Sequence, residues 1–172
     1  APLAPPAWMK NSGVRRGQTG TAGLNFVDNS VNTYFPGIDG GNPDKAVICF
    51  HGYTSEAMSD YSSISNYYLK KGYSMLLVDA RAHGQSEGKF IGFGCKDRYD
   101  ALKWIDWMIK KAGNGIRIVL MGNSMGGATV LMASGLNLPE QVRELCQTVH
   151  LPRLRRYLHM CFTACTICRL FR

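Results

Sequence analysis

The chain has 172 residues, 45% of them hydrophobic, and a formal net charge of +8. That length supports one domain with a real core, and no run approaches the ~18 apolar residues of a membrane-spanning helix. The charge is lopsided, with six Arg against two Glu and four of the six Cys in residues 140–172, so the high isoelectric point is mostly a tail property and poor evidence for a nucleic-acid function of the body.

Residues 1–42 are rich in Gly, Asn and Pro and form a poorly defined N-terminal segment, opening on Ala1–Ala7 (APLAPPA) as a processed end would. Within it, Gly23–Phe35 has the composition of one or two edge strands. Lys45–Phe50 (KAVICF) is a near-continuous apolar run, the pattern of a strand buried in a parallel sheet. Met58–Lys71 predicts a helix stopped by Gly72, and Tyr73–Asp79 (YSMLLVD) a second buried strand. A glycine-rich loop, Ala80–Gly94, leads to a helix over Asp97–Lys111, where Ala101, Trp104, Ile105 and Met108 share one apolar face. Asp97 and Asp100 at its start and Lys110 and Lys111 at its end match the helix dipole, and Gly113 suits its C-cap. Trp104 and Trp107 read as helix packing rather than as a platform for stacking bases. Ile116–Met121 is a third buried strand and Met125–Ser134 an apolar helix with small residues. Strands alternating with helices predict an α/β fold, a mostly parallel sheet with helices on both faces.

Between that last strand and helix stands Gly122-Asn123-Ser124-Met125-Gly126. A G-x-S-x-G box in this position makes a nucleophile elbow: a tight turn that lifts the serine hydroxyl above the sheet. The glycines are needed because the turn is strained and side chains two residues away would clash. The Met125 N–H, opening the helix, is aimed at a developing oxyanion. A serine here points to acyl transfer.

His51-Gly52-Tyr53-Thr54-Ser55 follows the first buried strand. The loop in that position supplies the second oxyanion donor, here the Tyr53 N–H, with His51 ordering the loop. Arg81-Ala82-His83-Gly84-Gln85-Ser86 follows the second buried strand. His83 precedes the serine, whereas the base of such a triad comes last in the chain, so a loop-ordering role is expected of it. Glu87-Gly88-Lys89 lacks the flanking residues of a phosphate loop.

His51-Gly52-Tyr53, Asp79-x-Arg81-x-His83-Gly84-x-Ser86 and Gly122-x-Ser124-x-Gly126-Gly127, in this order and spacing, resemble the α/β-hydrolase superfamily, and within it bacterial serine esterase- or peptidase-like enzymes of the cell-envelope type. The resemblance covers residues 43–139, taken as the hydrolase core. It implies Ser124 as nucleophile and the Tyr53 and Met125 amides as oxyanion hole. Members that open epoxides or carbon–halogen bonds carry a carboxylate nucleophile instead. Ala82 departs from the pattern, which has glycine there.

The family continues after Asn137-Leu138-Pro139 with a buried strand, further helices, an Asp at a strand end and a final His. Here no Asp follows Asp106, and Val142, Leu145, Cys146 and Val149 fall at helical spacing where a strand is expected. Residues 140–172 are therefore set apart as an atypical basic, Cys-rich tail, as a truncation followed by foreign or out-of-frame residues would produce, leaving the core incomplete at its C-terminus. The acids after Ser124 are Glu140 and Glu144, and the histidines are His150 and His159; these are the candidates for triad acid and base. Cys161, Cys165 and Cys168, with or without His159, lack the context of an iron–sulfur or zinc site.

The expected function is hydrolysis of a carboxylic ester by Ser124 through an acyl-enzyme, without metal or organic cofactor. The alternatives are a fragment lacking acid and base, with weak or no activity, and a peptidase or amidase on the same machinery. The expected partner is a small-molecule ester and not nucleic acid; membrane contact through the basic tail is a further possibility, and a raw sheet edge would favour association. A soluble domain of the cytoplasm or the cell envelope is expected.

Overall fold

The computed structural model describes two strands at 23–27 and 30–35 and the continuous stretch 44–148. Gly23–Val27 (β1) and Ser30–Phe35 (β2) form an antiparallel hairpin. Lys45–Phe50 (β3), Ser74–Asp79 (β4), Arg117–Asn123 (β5) and Val142–Thr148 (β6) complete one six-stranded sheet in the order β1-β2-β4-β3-β5-β6. The pairings β3–β4, β3–β5 and β5–β6 are parallel, and the hairpin joins antiparallel through β2 and β4. Strands thus enter the sheet from both segments that flank 43–139.

Three helices connect the parallel strands: Ala57–Lys70 (α1), Asp97–Ala112 (α2) and Met125–Ser134 (α3). They divide between the two faces, as parallel strands buried on both sides require. On one face Tyr61 and Leu69 of α1 pack on Val47, Cys49, Met75 and Leu77. On the other, Trp104, Ile105 and Met108 of α2 and Val130 and Ala133 of α3 cover Ile48, Leu76, Ile118 and Leu120. Trp104 is fully buried and meets Trp107 edge to face at 6.1 Å, so the tryptophans do pack the helix. Trp107 also meets Tyr34 of β2 at 5.7 Å, fastening the hairpin to the layer below. Gly113 ends α2 at φ 92°, with its N–H on the Ile109 carbonyl at 2.7 Å.

One reading needs correction. Residues 142–148, spaced as for a helix, form strand β6 beside β5. The cause is a bulge. Ile118 pairs with Val142, but Val119 pairs with Glu144, leaving Arg143 as an extra residue. The phase shift puts Val142 and Leu145, three apart, on one core-facing side opposite Ile118 and Leu120. A spacing of three imitates a helical period where a regular strand would show two. His150, His159, Cys161, Cys165 and Cys168 lie outside the described residues. No described helix is long and apolar enough to cross a membrane.

Candidate active site

Ser124 links β5 to α3 in the conformation φ 49°, ψ −107°, and its side chain is exposed. That backbone region is sparsely populated by any residue but glycine and costs of order 1–3 kcal/mol, so the surroundings must enforce it. They do. A Cβ on Gly122 would run into the backbone of Gly126 and Gly127, and one on Gly126 into the Phe50 carbonyl. Only glycines let the turn close this tightly over β3. The Ser124 N–H donates to the Thr148 carbonyl of β6 at 2.8 Å. Met125, buried, opens α3, so its N–H has no acceptor within the helix.

The loop after β3 lies against this turn. The position of a Cβ on Gly52 would be 3.6 Å from Ser124 Cβ. The Gly52 N–H is already committed to Asp60 Oδ2 at 2.8 Å, whereas the next amide, that of Tyr53, makes no hydrogen bond among the described residues. The Tyr53 ring is about half exposed and stacks on Phe93, itself exposed and at φ 45°, at 5.2 Å.

His51 orders this loop. Its ring is buried, and the Ala80 N–H donates to Nε2 at 2.9 Å. Nε2 must therefore be unprotonated, and Nδ1–H donates to the Gly52 carbonyl at 2.7 Å. Burial lowers the His51 pKa, only partly offset by the Gly52 hydrogen bond and by Asp79 and Asp60. His83, also buried, has Nδ1 on the Arg81 carbonyl at 2.9 Å, and its ring meets those of His51 and Tyr53 edge to face. Its Nε2 has no partner among the described residues.

The acids that fasten the second loop, Asp79 at the end of β4 and Asp100 in α2, are structural. Asp79 accepts the Ala57 N–H at the start of α1 at 2.9 Å and the Gln85 N–H at 3.3 Å. Arg81 forks onto Asp100 through Nε at 2.5 Å and Nη2 at 2.6 Å, and this partner raises its pKa further.

Three residues at the site escape a reading by motif: Asp60, Asn123 and Thr148. Asp60 Oδ2 accepts from both Gly52 N and Asn123 Nδ2, the latter at 3.0 Å, and Oδ1 accepts from the Ser55 hydroxyl at 2.6 Å. Burial pushes its carboxyl up, but these bonds outweigh burial and hold it below the usual range. Asn123 Oδ1 accepts from the Thr148 hydroxyl at 3.1 Å. The signals available were an acid in a first helical turn and an amide before the nucleophile, neither specific.

Glu140 and Glu144 do not reach Ser124. In the parallel sheet Ser124 sits at the carboxyl end, beside Thr148; Glu140 precedes β6 at the amino end, and Glu144 pairs with Val119. Thr148 lies four steps beyond Glu144, about 13 Å along a strand. Among the described residues no group of three or more His, Cys, Asp or Glu side chains could hold a metal.

A family model described as Hydrolase_4, serine aminopeptidase S33, matches residues 41–148. The uncharacterised protein YqkD of Bacillus subtilis is 31% identical over 93 residues, which are 54% of this chain and 30% of YqkD. Among solved structures, the esterase Pf2001 of Pyrococcus furiosus superposes with a TM-score of 0.57 at 27% identity, over 73% of this chain and 49% of the esterase. A predicted CIB-like hydrolase of Thermoplasma acidophilum gives 0.55 at 26% identity, over 74% and 61%. The chain thus spans about a third to three-fifths of the length of these relatives.

Proposed function

The chain belongs to the serine aminopeptidase S33 family of the α/β-hydrolase superfamily, and from that premise we propose that it is a serine hydrolase cleaving carboxylic esters through an acyl-enzyme on Ser124. The observation that carries the reading is the exposed Ser124 in its strained turn, with the Gly52–Tyr53 loop against it.

In this reading Ser124 Oγ bonds to the acyl carbon and its proton passes to a base. The carbonyl oxygen takes up negative charge beside the Tyr53 and Met125 amides. Collapse expels the alcohol, which takes a proton, and water then releases the acid and frees the serine. His51 is unsuited to be the base because both its nitrogens are engaged with backbone. His150 and His159 are the histidines to substitute. The esterase likeness supports an ester substrate.

The family description favours a second reading, cleavage of an amide or peptide at the same serine. Amides need stronger protonation of the leaving group, so the two separate by substrate. The test is hydrolysis of p-nitrophenyl acetate and butyrate, beside an aminoacyl p-nitroanilide, by the parent and Ser124→Ala. Ester turnover lost in the variant supports the proposal; faster anilide turnover supports the peptidase; equal inertness of the two proteins refutes both.

A further inference from the structure

Asp60 lies in the first turn of α1, where an acid ordinarily serves the helix dipole. Its hydrogen bonds point elsewhere. One oxygen, Oδ2, receives the Gly52 N–H at 2.8 Å and the Asn123 amide at 3.0 Å; the other receives Ser55. Gly52 precedes the Tyr53 amide, and Asn123 precedes Ser124. A carboxylate oxygen only accepts, so Asn123 must present its NH2 to Asp60 and its carbonyl to Thr148. The two halves of the candidate site, one after β3 and the other after β5, are therefore tied to a single oxygen atom.

We propose that Asp60 is a positioning residue for the reaction at Ser124, its Oδ2 setting the distance between the oxyanion loop and the nucleophile turn. The inference rests on the ester reading. With the Gly52 N–H committed to Asp60, the following amide, that of Tyr53, makes no hydrogen bond among the described residues. Preorganised donors act only when held in place before charge develops, and a misplacement of about 1 Å can cost about 10²-fold in rate.

The test compares Asp60→Ala with Asp60→Asn in the full chain. Alanine removes all three bonds. Asparagine keeps an oxygen for Gly52 and Asn123 while its NH2 can donate to the Ser55 hydroxyl. Rates are taken with p-nitrophenyl butyrate per active site titrated by a phosphonate that labels Ser124, so that unfolded protein does not count. The expected result is a fall in kcat of about 10²-fold for alanine at little-changed KM, with asparagine recovering most of it. Equal kcat per titrated site in parent and Asp60→Ala overturns the proposal. Should the alanine variant not fold, Asn123→Ala cuts the nucleophile arm alone and is expected to lower kcat in the same way; unchanged kcat there overturns it equally. A parent that neither turns over nor labels refutes the ester reading instead. Amide exchange at Gly52 then decides the clamp: faster exchange in Asp60→Ala, or in Asn123→Ala where the alanine variant does not fold, than in the parent supports it, and unchanged protection overturns it.

Discussion

The Ala80 N–H donates to His51 Nε2 across 2.9 Å, joining the end of β4 to the end of β3 and fixing the imidazole as its Nδ1–H tautomer. Protonation of Nε2 would break this bond inside a buried site. The folded-state pKa of His51 lies below its ordinary 6.5, chiefly through burial. The unfolded chain then binds the proton more readily, so this contribution to stability is present above the ordinary value and is lost as pH falls through 6.5 toward the folded pKa. Thermal melts from pH 7.5 to 5 are expected to show a declining midpoint, with a flatter decline and lower starting value in His51→Gln. An identical slope in the variant would show that His51 is not the group responsible.

Ala82 has φ 58°, in the left-handed region that favours glycine, where the superfamily pattern has glycine. A left-handed alanine costs about 1–2 kcal/mol, and glycine gives back about 0.5–1 kcal/mol in the unfolded chain. Ala82→Gly is expected to stabilise the protein by about 0.5–1 kcal/mol in urea unfolding. Destabilisation would mean that the Ala82 methyl makes packing contacts that outweigh the strain.

Gly126→Ala should act in the opposite sense. The added methyl meets the Phe50 carbonyl, a backbone atom at the end of the central strand β3 that cannot swing aside. A loss of about 3 kcal/mol is expected, with Ser124 displaced, so phosphonate labelling should slow even in the fraction that folds.

The Arg81–Asp100 pair predicts an asymmetry. The Asp100 side chain is 6% exposed and that of Arg81 24%. Arg81→Ala strands a buried carboxylate and is expected to cost about 3 kcal/mol. Asp100→Ala should cost less, because the long arginine can turn its head to water. Equal losses measured by chemical denaturation would contradict this.

The layer architecture was legible because the buried strands Lys45–Phe50 and Ser74–Asp79 are nearly pure apolar runs, and α2 repeats its apolar face regularly. The strained turn at Ser124 was legible because its glycines are compulsory. What stayed hidden was pairing. Asp60 gains its meaning from Gly52, eight residues away, and Asn123, sixty-three away, and no local pattern records either bond. Strand β6 was hidden by its bulge, since Arg143 turns the alternation of VRELCQT into a false helical period.

That bulge has a consequence for how the chain tolerates changes of length. Ile118 faces Val142 before it, while the pairs from Val119–Glu144 to Asn123–Thr148 run on regularly after it. Deleting Arg143 would close the ladder and leave Thr148 opposite Asn123; deleting a residue beyond it would slide Thr148 away and unseat the carbonyl that holds the Ser124 amide. The slack in β6 is stored at one point, on the side away from the nucleophile, so the loss of a residue there is absorbed before it reaches Ser124.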